Sequence, residues 1–269
     1  MRRKPLRIAL IGWGAINRRV AELLSLRSSD SVSIVAIGKR DGATATLIPA
    51  NATLLTTPEG LAGLDLDLVV EAASRDAVAM WGESALCSAR AFVVTSTSAF
   101  CETGLLERLI RLADEYGSQL IVTPGALAGI DALSAASAMR LDSVVHRIVK
   151  PPIAWRGTAA ESLIALDDLT HAVTFYSGIA REAATLYPKN ANVTVITALA
   201  GVGLDRTRVE LVAAPDVQTN VHMLSVAGAF GKLEIRIENT PLASNPKSSE
   251  MAALSLVRIV ENRAKALVC

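Results

Sequence analysis

The chain has 269 residues, of which 51% are hydrophobic and 20% charged, with a formal net charge of +1. This is the composition of a folded protein with a large core and one or two domains, and the near-neutral charge excludes a broad nucleic-acid or anionic-membrane surface. Three histidines and three cysteines (Cys87, Cys101, Cys269) are scattered without CxxC or HExxH spacing, so neither a metal site nor a disulfide framework is expected, and reduced thiols suit a cytoplasmic protein.

The basic start "MRRKPLRIALIG" has the outline of an export signal. Arg7 interrupts its apolar run, however, and a βα pattern follows at once, so it reads as a strand. No uninterrupted apolar stretch reaches the roughly 18–20 residues that span a bilayer, and no membrane partner is expected.

In chain order, "LRIALIG" predicts a first strand and "INRRVAELLSL" a helix with Val20, Leu23 and Leu24 on one face. "VSIVAIG" is a second strand. "LDLVVEAAS" is another, with acidic residues at its start, and "AVAMWGESALCSA" is the helix after it. "AFVVTST" and "QLIVTPG" are further strands, separated by the helical "TGLLERLIRLADEYG". Strands apolar on both faces and spaced by helices predict a doubly wound, Rossmann-type parallel sheet. From Val144 to about Ile237 the pattern changes. "VVHRIVK", "ANVTVITALAG", "RTRVELVAA" and "VHMLSVAGAFGKLEIRIE" read as β-rich, around one helical insert from Thr158 to Ala184. Polar positions alternate in "LEIRIE", as in a sheet with one wet face, so a second α+β domain with a mixed or antiparallel sheet is expected. The tail "SSEMAALSLVRIVENRAKAL" is an amphipathic helix with Ser248 or Ser249 as its cap. The expected domains are 1–132 for dinucleotide binding, with 247–269 packing back on it, and 133–246 for substrate, catalysis and dimerisation.

Between the first strand and helix lies "GWGAIN". Gly12 would turn the chain, Gly14 would let a pyrophosphate approach the backbone, and the amides of Ala15 and Ile16 would face the phosphates at the helix start. Asn17 stands where a dinucleotide fingerprint has its third glycine. That glycine serves helix packing, so a slightly displaced helix is expected, with the Asn17 amide within reach of a phosphate. Strand two ends "AIGKRD", without the acidic residue that holds an adenine-ribose hydroxyl about 20 residues past the turn. Lys39 and Arg40 there suit the 2′-phosphate of NADP, and they equally suit solvated loop charges.

Several polar-glycine clusters follow: "PGALAGIDAL", "KPPIAWRGT", "FYSGIAREAATLYPKNANV", "NVHMLSVAGAFG" and "NTPLASNPKSS". In this order, behind the GxGAI turn, the chain resembles the L-aspartate dehydrogenase family from Ile8 to about Leu256, with "YPKNANV" and "NPKSS" the most specific blocks. The resemblance implies NAD(P)-dependent oxidation of L-aspartate to iminoaspartate, which water hydrolyses to oxaloacetate and ammonia, or the reverse. It also implies a link to pyridine-nucleotide synthesis, and a homodimer. It places the catalytic histidine on His222 and further cofactor contacts on Ala126 and Asn192. Histidine suits the work, since its ordinary pKa of roughly 6.5 lets it exchange the amine's and water's protons near neutrality. His146 and His171 read as surface or packing groups. Lys150, Arg156, Lys189 and Lys247 are candidates for the substrate carboxylates, with Asn190 and Ser249 assisting. "STSAF" (96–100) is expected to line the cofactor crevice, and the active site to lie between the domains.

Two other readings share the first-domain pattern. One is an oxidoreductase for another amino acid or imine, in the manner of homoserine dehydrogenase or dihydrodipicolinate reductase. The other is a nucleotide sensor without turnover. The first does not account for "KNANV" and "NPKSS", and His222 with the intact second-domain set argues against the second.

Overall fold

The computed structural model describes residues 4–40 and 47–268; Arg2 and Arg3 of the basic start, Asp41 of "GKRD" and Cys269 lie outside them. The chain divides into two units, Met1–Gly125 with Leu242–Cys269, and Ala126–Pro241.

The first unit alternates strand and helix: β1 (Leu6–Ile11), α1 (Ala15–Ser28), β2 (Val32–Gly38), β3 (Thr53–Leu55), β4 (Leu66–Glu71), α2 (Arg75–Ser88), β5 (Ala89–Val94), α3 (Leu105–Tyr116) and β6 (Gln119–Val122). The six strands are ordered β3-β2-β1-β4-β5-β6 and all neighbours are parallel. This is the Rossmann order, with the switch point between β1 and β4. Alternate residues of β1 explain the double burial. Ile8 and Leu10 join Val20 and Leu24 of α1 in one core, while Ile11 lies on the side of Trp81 of α2. Short β3 was not expected from the sequence.

The second unit begins with α4 (Ile130–Ala136) and β7 (Leu141–Lys150), followed by β8 (Val173–Ile179), α5 (Ala180–Leu186), α6 (Ala191–Ala200), β9 (Arg208–Ala213), β10 (Asn220–Gly228) and β11 (Gly231–Asn239). Its five-stranded sheet runs β11-β10-β7-β9-β8; β7 and β9 are parallel and the other pairs antiparallel. Two sequence expectations fail here. The segment 158–184 is not one helical insert: it forms short 3-10 turns, then β8, then α5. The aromatic and β-branched "VTFY" pairs with β9 as an edge strand, which suits its residues better than a helix. "ANVTVITALAG" is helix α6 rather than strand. Ala191, Val195 and Ala198 recur at helical spacing and are fully buried, and packing on that face overrides the β preference of its Val, Thr and Ile residues.

The chain ends in β12 (Pro241–Leu242), β13 (Asn245–Ser249) and α7 (Glu250–Ala264). Ser249 is the cap, its hydroxyl accepting from the Met251 amide at 3.1 Å, while Ser248 belongs to β13. Leu256, Val257 and Val260 of α7 enter the core of β1 and α1.

Candidate active site

Gly12 has φ +90°, and a Cβ there would lie 2.6 Å from Ala73 Cβ and 2.9 Å from the Ala72 carbonyl oxygen. A side chain would therefore collide with the chain leaving β4. Gly14 differs: a Cβ would meet nothing within 4 Å, so the protein's own packing does not require glycine there. The amides of Ala15 and Ile16 open α1, whose first turn holds no acidic residue and no side-chain cap. A helix N-terminus without a side-chain cap among the described residues, and with room at Gly14, fits the phosphates of a dinucleotide.

Asn17 is not available to a phosphate. It is fully buried, and its Nδ2 donates to the carbonyls of Ile11 (2.9 Å) and Gly12 (2.8 Å). Both amide hydrogens are thereby committed to clamping the turn from below, which replaces the packing role of a third glycine.

At the end of β2 the Gly12 amide donates to the Gly38 carbonyl at 2.8 Å, so the glycine turn and the "GKR" segment adjoin. Gly38 is itself required: a Cβ would lie 2.7 Å from Ile11 Cδ1 and 2.9 Å from Trp81. Lys39 is half-buried and Arg40 exposed.

Glu71 ends β4 with no exposed surface. Its Oε1 accepts from the amides of Ala73 (2.7 Å) and Ser74 (3.0 Å) and from Ser96 Oγ (2.8 Å). Its Oε2 accepts from the amides of Thr95 (3.2 Å) and Ser96 (3.0 Å). Burial pushes this carboxyl above the usual range, against the lowering effect of the Ser96 and Ala73 amides. One side chain thus ties together the loops after β4 and β5, at the carboxyl edge of the sheet where ligands sit. Ser96 and Thr97 of "STSAF" are buried beside it.

In the second unit, β7 and β10 pair so that His222 faces Ile148 and Leu224 faces His146. His146, Ile148, Lys150 and His222 therefore share one face of the sheet. His146 Nε2 lies 3.1 Å from His222 Nδ1, and His146 Nδ1 lies 3.0 Å from Thr197 Oγ1 on α6. Of the two places expected for His146, surface or packing, the surface is ruled out. His146 has no exposed surface and is hydrogen-bonded to the candidate catalytic histidine. Burial lowers His146 to about 4. His222 is 5% exposed and is pushed well below its ordinary value, chiefly by burial, then by the neighbouring His146 and Lys150. Both rings are neutral at pH 7.

Lys150 completes this face. Its Nζ donates to Asn190 Oδ1 at 2.5 Å and lies 5.1 Å from the centre of the buried Trp155 ring, while the Trp155 indole donates to the Val212 carbonyl at 3.0 Å. No carboxylate among the described residues ion-pairs with Lys150. Burial, with repulsion from Lys189, lowers it to about 8. It is a cation held by a carbonyl oxygen and an aromatic face, ready for an anion.

The other candidates are arranged differently. Ala126 is tied to the His222 face: Asn239 Nδ2 donates to its carbonyl at 3.0 Å, and Asn239 sits opposite Asn220, two residues before His222. Asn192 is exposed in the first turn of α6, two residues beyond the Asn190 that holds Lys150. Arg156 is committed to Asp167. Lys189 is exposed, Lys247 lies in β13 of the first unit, and Ser249 caps α7. His171 is exposed beside Thr170.

Residues 131–263 match the family model described as "Aspartate dehydrogenase, C-terminal", and residues 12–123 match "Homoserine dehydrogenase, NAD binding domain". The chain is 53% identical to an L-aspartate dehydrogenase of Brucella anthropi over 95% of its length and 96% of that protein's. The chain belongs to the L-aspartate dehydrogenase family. An L-aspartate dehydrogenase of Polaromonas sp. is 43% identical, covering 98% of this chain and 99% of its own. The crystal structure of an aspartate dehydrogenase from Thermotoga maritima superimposes with a TM-score of 0.77 at 25% identity, covering 98% of this chain and 99% of that one. A hyperthermophilic archaeal homoserine dehydrogenase in complex with NADPH shares the fold at 12% identity and a TM-score of 0.63 over 96% and 97%.

For this member of the L-aspartate dehydrogenase family, sequence reading misses Glu71 and does not find the partners of His146 and Asn17. Glu71 and His146 act through partners far along the chain, and Asn17 through the turn it folds back on. A signal for Glu71 was present: a carboxylate directly after the apolar buried run Leu68, Val69 and Val70 demands donors.

Proposed function

We propose that the protein catalyses the NAD(P)-dependent oxidative deamination of L-aspartate, with His222 as its acid–base group and Lys150 as its principal carboxylate anchor. L-aspartate, water and oxidised coenzyme give oxaloacetate, ammonium, reduced coenzyme and a proton. The observation that carries this reading is the shared face of β7 and β10. There a neutral histidine and a buried cation without a carboxylate partner among the described residues lie together, within a chain of this family.

The turn at Gly12 and Gly14, with the amides of Ala15 and Ile16, holds the coenzyme's pyrophosphate. Lys39 and Arg40 offer cations for a 2′-phosphate. Ala126 and Asn192 contribute the contacts that the family resemblance assigns to the coenzyme. When bound, the nicotinamide supplies the hydride acceptor for the substrate's α-carbon.

His222 takes a proton from the substrate ammonium, freeing the nitrogen lone pair whose electrons drive the hydride out. His222 passes that proton to solvent, which is the proton released overall, and once the imine exists it removes a proton from the attacking water and returns it to the departing amine. Lys150 and Asn190 receive a carboxylate, and Lys189 adds long-range attraction. An anion beside Lys150 offsets that lysine's repulsion of a His222 imidazolium, a smaller influence than burial or His146. Iminoaspartate released before hydrolysis would serve pyridine-nucleotide synthesis. The setting is cytoplasmic, and the protein is a homodimer through the open sheet of the second unit.

The test is the coenzyme absorbance change with L-aspartate in wild type and His222→Ala. Loss of turnover by roughly 10² or more is expected for a removed general acid–base. Near-native turnover in the variant would take His222 out of the mechanism. Reduction with another amino acid but not aspartate would reassign the substrate.

A further inference from the structure

We infer that Thr197 and His146 are positioning residues that fix the tautomer of His222, leaving its Nε2 as the proton-accepting nitrogen. This inference rests on the reading of His222 as the acid–base group.

The direction of the chain follows from counting hydrogens. Thr197 has one hydroxyl hydrogen, and its Oγ1 lies 2.9 Å from the Val193 carbonyl one helical turn back, a partner that can only accept. With its hydrogen committed there, Thr197 Oγ1 accepts from His146 Nδ1–H across 3.0 Å. A neutral imidazole carries one N–H, so His146 Nε2 is a lone pair, and the 3.1 Å contact requires His222 Nδ1 to donate. His222 then presents Nε2 unprotonated, and that nitrogen has no hydrogen-bond partner among the described residues. The two rings are tilted by 48° with centroids 5.3 Å apart, so they meet through nitrogen rather than by stacking.

The reversed order has Thr197 donating to His146 and His146 to His222. It forfeits the Val193 bond, making two side-chain hydrogen bonds where the forward order makes three. One net hydrogen bond corresponds to about a fivefold preference for the forward order. The reversed order would also place a hydrogen on His222 Nε2, where a base needs its lone pair. When His222 becomes cationic, its Nδ1–H bond to neutral His146 strengthens into a charge-assisted one, so the imidazolium is supported without a carboxylate.

Nitrogen NMR of protein labelled in its histidines reads the tautomer directly. With three histidines in the chain, single substitutions assign the signals. Wild type should show His222 Nε2 unprotonated and Nδ1 protonated. Thr197→Val, close in shape but without the oxygen, should shift His222 toward the Nε2–H form and lower kcat about tenfold, with the aspartate KM changed less than twofold, as for a group misaligned only in the chemical step. Thr197→Ser should restore both tautomer and kcat, and His146→Gln, which can accept from His222 and donate to Thr197, should retain much of each. Melting curves establish that each variant is folded. A protonated Nε2 in wild type, an unchanged tautomer in folded Thr197→Val, or a shifted tautomer with native kcat would overturn the inference. Full turnover in His222→Ala would instead remove the reading beneath it, while leaving the NMR assignment to stand.

Discussion

Glu71 at the end of β4 receives both the amide and the hydroxyl of Ser96 beyond β5, at 3.0 and 2.8 Å. The pair holds two neighbouring strand ends at the edge of the sheet where a dinucleotide is expected. Glu71→Gln replaces half of this acceptor with an NH2 group facing buried amides, leaving donors unsatisfied at about 1–3 kcal/mol each. The melting temperature should fall by roughly 5 °C or more, and the coenzyme KM should rise about tenfold as the loops loosen. Unchanged coenzyme KM in a destabilised variant would limit Glu71 to folding.

Lys150→Met keeps the aliphatic stem and removes the charge. The KM for L-aspartate should rise roughly 10- to 100-fold, the worth of a charge-assisted hydrogen bond, while the coenzyme KM stays near native. Stability should hold or increase, because a buried cation without a carboxylate partner is replaced by an apolar group. In the free enzyme Lys150 titrates at about 8, so aspartate binding should weaken as pH rises through that value, and the break should vanish in the variant. A variant with native aspartate KM would reject the anchor.

Lys39 and Arg40 are tested together by alanine substitution. If they hold a 2′-phosphate, the KM for NADP should increase about tenfold or more while that for NAD changes little. Equal effects on both coenzymes, or none, would return these cations to the solvent.

Glu261 links α7 to α1. It accepts from Ser28 Oγ at 2.7 Å and pairs with Arg27 and Lys265 at 3.0 and 2.8 Å. The Arg27 hydrogen bond is the largest influence, followed in the same direction by Lys265 and Ser28, and together they hold the carboxyl at about 2, against the opposing effect of burial. A depressed folded-state pKa means the unfolded chain binds more protons below the ordinary carboxylate range, so this stability is present at neutral pH. It is lost as pH falls from the ordinary 4.5 toward 2. Acid titration of the melting temperature should show a shallower decline in Glu261→Gln than in wild type.

The sequence by itself determined the first sheet apart from its short edge strand β3, because strands buried on both faces must be largely apolar and the helices between them keep a 3.6-residue period. It also pointed to the glycine turn, where Gly12 answers a collision that no other residue avoids. Its periodicity did not determine α6, where burial of Ala191, Val195 and Ala198 outweighed local β preference. Tertiary structure alone gave Asn17 its clamp, Glu71 its donors and Lys150 its carbonyl and ring. It alone joined His146 to His222 across 76 positions of sequence. Spacing along a chain reports which face a residue occupies. A hydrogen bond between distant strands depends on register and on the direction of one hydroxyl, and only the folded arrangement sets either.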